Sequence, residues 1–181
     1  IDSADEEIWR KIDRPHGKLK HRDVLKGIAD FSKIFKGTLV TETMLIKGIN
    51  DNETSVEKTA EFIAEISPSK AYFLVPTRPP AESGAHRPSA DFLKYAAAIT
   101  WAISGVKTEC IAGDEKEDFF FTDDIAGDLL GIASVHPVRE EAIKKILKER
   151  NEDESVISRL IEQGKINEVF YNGKKFYKRA F

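Results

Sequence analysis

The chain has almost none of the residues on which thiol chemistry depends. Among its 181 residues, Cys110 is the only cysteine. One thiol excludes an intrachain disulfide and any site that needs two or more cysteine ligands from this chain. The longest apolar runs, such as residues 72–75, are far too short to cross a membrane. We therefore expect a reducing cytoplasmic environment and no membrane partner.

Strong charge of one sign is also missing. The formal net charge is −3, with 33% charged and 41% hydrophobic residues. This balance is typical of a soluble globular protein and excludes a disordered tail. It argues against a polyanion-binding surface over the whole chain, although a local basic patch stays possible. The four histidines show no metal-ligand spacing, and no P-loop, GxGxxG or GxSxG motif occurs. We expect no metal site made by this chain alone.

The chain starts with Ile1-Asp2-Ser3, and its only methionine is Met44. No basic segment followed by an apolar one marks a signal peptide. We interpret the sequence as a piece of a longer protein. The alternative is a mature terminus left by ordinary processing.

Apolar periodicity predicts α/β structure in the first two thirds of the chain. Strands are expected to start near residues 39, 71 and 106, about 32 to 35 residues apart, with helices between them. That spacing is typical of βαβ units in a parallel sheet. The continuous apolar run Ala71–Val75 predicts a strand buried on both faces. Three or four strands cannot close an eight-stranded barrel, so we expect a small open sheet or the second half of a larger structure, and favour the latter.

The pattern changes after about Asp114. Residues 114–118 form an acidic connector, which three phenylalanines follow at 119–121. The pattern after them predicts three short amphipathic helices. Two β-rich runs then flank Asn172-Gly173, which is a strong hairpin signal. Three helices followed by a two-stranded wing predict a winged helix-turn-helix. The predicted domains are therefore 1–118 and 119–181.

Ligands of parallel α/β sheets bind at the carboxyl ends of the strands. The expected strand-end loops contain Asn50-Asp51 and Arg78, whose groups can bind hydroxyls, amines or a carboxylate. Glu42 interrupts an apolar strand, where a carboxylate needs a partner or a polar cavity. Each has a structural alternative: a turn and helix cap for Asn50-Asp51, a clamp for Arg78, and a carboxylate facing water on an edge strand for Glu42.

The order of four segments is more informative than any one of them. They are Asp2–Glu7, Lys11–His16, Thr41–Asp51 and Pro76–Glu82. In this order they resemble the second half of a radical SAM enzyme, closest to the prokaryotic and especially archaeal Fe-S oxidoreductases, some of which carry a C-terminal winged helix. The resemblance covers nearly the whole chain, and residues 39–82 are its specific part.

The resemblance implies a partial (β/α)6 barrel and an enzymatic parent. In that family a Cys-x3-Cys-x2-Cys loop holds a 4Fe-4S cluster, which reduces S-adenosylmethionine to a 5′-deoxyadenosyl radical. This chain departs from the pattern because it has only Cys110 and lacks the Gly-rich segment that holds the methionine end of the cofactor. The resemblance therefore implies that this piece is inactive alone and that its missing N-terminal half is a partner.

Five cofactor-binding candidates follow from the resemblance. Asp2 and Glu42 are expected to point inwards from strands, and Asn50, Thr77 and Arg78 to lie at strand ends. No residue is assigned as a catalytic acid or base, and the substrate stays unknown. A half barrel also leaves a free sheet edge, which predicts pairing or aggregation of the isolated chain.

The wing is locally basic and could contact phosphates through Lys174, Lys175, Lys178 and Arg179. The expected recognition helix, 153–163, carries three acids against one arginine, which is unfavourable for a DNA major groove. We favour a protein-binding or lid role for this domain over nucleic acid, with an RNA substrate of the parent left open. The alternative for the whole chain is a self-standing ligand- or nucleic-acid-binding module.

Overall fold

The computed structural model describes residues 1–82, 84–113, 119 and 121–180. The described chain forms two compact units. The first comprises Ile1–Pro76 and Glu82–Gly113, and the second comprises Thr77–Ala81 and the described residues after Gly113. No helix in the described part of the chain combines the length and the hydrophobicity that crossing a bilayer requires.

The first unit is built on a parallel three-stranded sheet in the order β1-β2-β3. Its elements are α1 (Glu6–Asp13), α2 (His21–Ile34), β1 (Val40–Met44), α3 (Glu53–Ile66), β2 (Lys70–Leu74), α4 (Ala90–Ser104) and β3 (Thr108–Ile111). The predicted α/β class with a parallel sheet is thus confirmed. Connections between parallel strands are right-handed, so two successive crossovers in one direction place both helices on the same face. Accordingly α3 and α4 pack against each other.

The core of this sheet lies on the helix-covered face. Phe73 and Val75 of the β2 segment pack against Val56 of α3 and against Leu93 and Ala96 of α4. Tyr72 and Leu74, which point the other way, are only half-buried. The prediction that the Ala71–Val75 strand is buried on both faces was wrong, because both crossover helices cover the same side.

The N-terminal residues lie along the outer edge of β1. The nitrogen of Ile1 donates a hydrogen bond to Glu42 O (2.7 Å), and Thr43 Oγ1 donates to Ile1 O (2.7 Å). Asp2 Oδ1 accepts from Met44 N (2.7 Å). The Glu42 and Met44 main chain faces away from β2 because their neighbour Leu45 donates to Leu74 O on β2. These contacts partly cover one sheet edge that the sequence predicts to be free.

The second unit contains α5 (Ile125–Val135), β4 (Val138–Arg139), α6 (Glu140–Glu149), α7 (Ser155–Glu162), β5 (Ile166–Tyr171) and β6 (Lys174–Arg179). Its antiparallel sheet has the order β4-β6-β5. The β5–β6 hairpin turns at Asn172 and Gly173, both with positive φ (49° and 75°), as the Asn-Gly signal predicts. Leu129, Ile143 and Leu147 are among the buried residues of its core.

The acidic connector predicted at 114–118, and Phe120 after it, lie outside the described residues. Of the three phenylalanines, Phe121 is buried in the core of the second unit and Phe119 packs against that core. The aromatic residues that are described therefore contribute to the fold of this unit.

Candidate functional site

The candidate site is the face of the β1-β2-β3 sheet that points away from α3 and α4. Strand register places Glu42 beside Tyr72 and Tyr72 beside Glu109. Glu42 is exposed, while Tyr72 and Glu109 are half-buried. A row of two carboxylates around a phenol therefore crosses all three strands on the side without a helix layer.

An apolar row lies next to this polar one, one step closer to the carboxyl ends of the strands. Met44, Leu74 and Ile111 stand side by side in register. Met44 and Leu74 are half-buried, and Ile111 is 43% exposed. The face thus combines hydrogen-bonding groups with an apolar strip, which is the composition of small-molecule sites.

The Glu109 carboxylate is held in its charged form by two lysines. Lys107 Nζ lies 3.1 Å and Lys70 Nζ 3.2 Å from Glu109 Oε1. Hydrogen bonds from Lys107 and Lys70 lower the pKa of Glu109, and the bond to Glu109 raises the pKa of Lys70. Lys70 also lies over the Tyr72 ring, with Nζ 5.4 Å from the ring centre. The β3 end of the polar row is therefore an organised cluster.

Asn50 lies at the carboxyl end of β1 and is 1% exposed. Its Oδ1 accepts from Ile46 N (2.7 Å), and its Nδ2 donates to Met44 O (2.7 Å) and Asp2 O (3.0 Å). The tight turn before it uses Gly48 at φ 75°. The Asn50 amide thus clamps the end of β1 to the N-terminal segment, and this brings two predicted residues, Asp2 and Asn50, together.

A second carboxylate adjoins Asp2, in a place where sequence reasoning identified no site. Burial, and then the hydrogen bond and charge of Asp2, raise the pKa of Asp13 to about 6. Both residues line a cavity of about 210 Å³ with Trp9, His21 and apolar side chains of α2. The ring nitrogen Nε2 of buried His21 lies 3.0 Å from Ser3 O. The sequence signal for Asp13 is its position at a helix end, directly before Arg14-Pro15.

Thr77 and Arg78 belong to the second unit, whereas Asp2, Glu42 and Asn50 belong to the first. Both Thr77 and Arg78 are half-buried. The Arg78 guanidinium lies over Phe119, 5.8 Å from the ring centre. Their assignment as cofactor-binding residues stays a prediction, as it does for the other three.

The predicted basic wing is partly neutralised within its own unit. Lys175 Nζ lies 3.0 Å from Glu168 Oε1 and 3.3 Å from Glu140 Oε1. These two carboxylates raise the pKa of Lys175 far above its ordinary value. Lys174, Lys178 and Arg179 lie on the same strand, β6, and are half-buried. Contact between these four residues and nucleic acid stays a prediction.

Several relatives found by comparison are UPF0026 proteins, a name that states no activity. A UPF0026 protein of Methanocaldococcus jannaschii is 39% identical over 178 residues, 98% of this chain and 56% of that protein. A UPF0026 protein of Helicobacter pylori strain J99 is 33% identical over 79 residues, 44% of this chain and 25% of that protein. The chain thus spans about half the length of the M. jannaschii protein and less of the other. No protein-family model matches the chain.

Among solved structures, the chain resembles a domain of pyruvate-formate lyase-activating enzyme from Bacteroides vulgatus. The sequences are 20% identical, the TM-score is 0.45, and the match covers 61% of this chain and 63% of that one. At this TM-score the likeness carries no functional argument.

Proposed function

We propose that the chain is the C-terminal portion of a radical SAM enzyme with an unknown substrate. In this proposal residues 1–118 supply the later strands of a partial parallel (β/α) barrel, and residues 119–181 form a winged helix. The observation that carries it is the one-sided sheet: parallel strands with helices on one face and a polar row on the other.

A parallel sheet with helices on only one face is expected in one α/β architecture and not in another. Doubly wound sheets bury both faces under helices, whereas in a (β/α) barrel helices cover only the outside and the strands face a common interior. The row of Glu42, Tyr72 and Glu109 fits the second arrangement, because carboxylates on an inward face need a polar cavity or a partner. The order of the four segments that resemble the family supports the same choice.

The residues of the open face have distinct proposed roles. Glu42 accepts hydrogen bonds from hydroxyl or amino groups of the cofactor, and Tyr72 supplies a flat ring beside it. Asp2 and Asn50 are positioning residues, because Asn50 joins Asp2 O to the end of β1. Thr77 and Arg78 follow β2 in the chain and stay binding candidates through the family resemblance.

This chain by itself does not fit the iron-sulfur cluster. It has one cysteine, and among its described residues no three His, Cys, Asp or Glu side chains are grouped to hold a metal ion. Burial raises the pKa of Cys110, whose Sγ donates to Leu93 O (3.3 Å). We therefore propose that the cluster ligands come from the rest of the parent protein, and that the missing N-terminal half is the first partner of this chain.

For the winged helix we propose a protein-binding or lid role. The ion pairs of Lys175 with Glu140 and Glu168 reduce the charge that the wing offers to phosphates. Arg159 of α7 is exposed, and the acidic Glu154 and Glu162 lie at the two ends of that helix. A nucleic-acid-binding module is the alternative, and it predicts salt-dependent binding of the isolated chain to RNA or DNA.

The test uses the protein expressed from the complete reading frame, reconstituted with iron and sulfide without oxygen and supplied with dithionite as the electron donor that reduces the cluster. The proposal expects release of 5′-deoxyadenosine from S-adenosylmethionine. Glu42→Gln is expected to lower that rate about tenfold or more, since it weakens a hydrogen bond to a charged acceptor. Glu65→Gln, an exposed carboxylate on α3, is the matched control and leaves the rate unchanged. A reconstituted protein that releases no 5′-deoxyadenosine contradicts the proposal.

A further inference from the structure

The exposed edge of the sheet carries a groove that the proposed function does not use. It lies between α4 and β3, has a volume of about 530 Å³, and is lined by Ala97, Ala98, Trp101, Lys107 and Thr108. Trp101 is 64% exposed, whereas the other tryptophan, Trp9, is 7% exposed. A large aromatic side chain in this position is typical of interfaces rather than of free surface.

Among the described residues, no strand pairs with the outer side of β3 beside the groove. Lys107 O accepts from Ala71 N (3.0 Å), so the odd-numbered residues of this segment direct their main chain towards β2. Thr108 and Cys110 therefore direct theirs to the outer edge, because alternate residues of a strand point their backbone groups to opposite sides. Unpaired edges of this kind act as templates for another strand.

In an antiparallel pair of two identical β3 strands, opposite charges would face each other. We propose that β3 pairs antiparallel with β3 of a second copy, with Thr108 opposite Thr108 on the two-fold axis. This register places Lys107 of each chain opposite Glu109 of the other, which stabilises antiparallel pairs. A shift of two residues, which moves the axis from Thr108 to Glu109, would place Glu109 opposite Glu109, which is unfavourable.

The same two-fold axis brings the two grooves together. An axis perpendicular to the sheet keeps both helix layers on one face, so α4 of one chain comes beside α4 of the other. Ala97 and Ala98 are small and permit close approach, and each Trp101 lies beside the groove of the second copy. The pairing joins two three-stranded sheets into one and covers the apolar groove at the same time. It does not depend on the proposed radical chemistry.

Sedimentation velocity of the 181-residue chain tests the pairing. We expect a dimer at about 100 µM, above the micromolar dissociation constants of modest interfaces. Lys107→Glu alone and Glu109→Lys alone each place like charges across the axis, and each weakens dimerisation about tenfold. Arg22→Glu, the same charge change on exposed α2, is the control and leaves the dimer intact. A wild-type chain that stays monomeric at this concentration overturns the proposal.

Mixing the two charge variants separates pairing between chains from the Lys107–Glu109 ion pair within each chain. Neither variant has that internal pair, yet together they restore both contacts across the axis. The register therefore predicts a heterodimer that is tighter than the homodimer of either variant. If the mixture stays monomeric while circular dichroism shows both variants folded, the proposed register is wrong.

Discussion

The two faces of the β1-β2-β3 sheet differ although the same three strands make both. On one face Phe73 is 1% exposed beneath α3 and α4, while on the other Leu74, its neighbour in sequence, is half-buried without a helix layer. The difference comes from chain handedness rather than local composition, because successive right-handed crossovers deliver both helices to one side. The covered face holds the core of the sheet, and we propose that the open face binds ligands.

The largest expected effect separates the two faces directly. Phe73→Ala is expected to destabilise the first unit by about 3 to 5 kcal/mol, the usual cost of removing a buried aromatic ring. Leu74→Ala is expected to cost about 1 kcal/mol or less, because its side chain is already partly in water. Denaturant unfolding followed by tryptophan fluorescence measures both, since Trp9 and Trp101 both lie in the first unit. Equal losses would contradict the asymmetry.

The second prediction compares two polar residues, one in β1 and one in the turn that follows it. Asn50→Ala removes three hydrogen bonds and leaves buried backbone groups without partners, so we expect a loss of about 2 to 4 kcal/mol. Glu42→Gln, at an exposed position of the open face, is expected to stay within about 0.5 kcal/mol of the wild type. The same unfolding experiment applies. A large loss for Glu42→Gln would show that this carboxylate supports the fold instead of a ligand.

A smaller effect concerns pH at the Asp2–Asp13 pair. The folded pKa of Asp13, about 6, lies above its ordinary value of 3.8. Between these values the folded chain holds a proton that the unfolded chain has released, so this group makes stability fall as pH rises through the interval. Asp13→Asn removes the fall and is expected to gain stability over the wild type as pH rises from 3.8 to about 6.

The matched control for this pH effect is Asp30→Asn. Lys26 lowers the pKa of Asp30, so that group contributes stability above its unfolded pKa and loses it as pH falls. The control is therefore expected to change the pH dependence in the opposite direction, and only slightly, because the pair is exposed. Wild-type and Asp13→Asn curves that run parallel from pH 3 to 8 would contradict the account of the pair.

Strand periodicity and turn chemistry predicted most of the first unit, because both are local. The three strands start within a few residues of their predicted positions, and in the second unit the hairpin turns at Asn172-Gly173 as predicted. The burial of β2 was not predictable from its own residues, since an apolar run has the same appearance whether one or both faces are covered. Only the direction of the crossover connections decides whether helices cover one face of the strand or both.

The candidate site was predictable only in part, for a similar reason. Glu42 is a charge within an apolar strand, and Glu109 gives the same signal in β3. Their alignment with Tyr72 depends on register, which is not local. The proximity of Asp13 to Asp2 depends on how α1 folds back, and no spacing along the chain indicates it.

The central claim is that this sheet is the later part of a radical SAM barrel. The most direct test is to determine the coding sequence upstream of the codon for Ile1 in the parent gene. The account predicts a Cys-x3-Cys-x2-Cys segment directly after a strand pattern in that region. A reading frame that starts at or just before Ile1 would contradict it, and the chain would then be a binding module without radical chemistry.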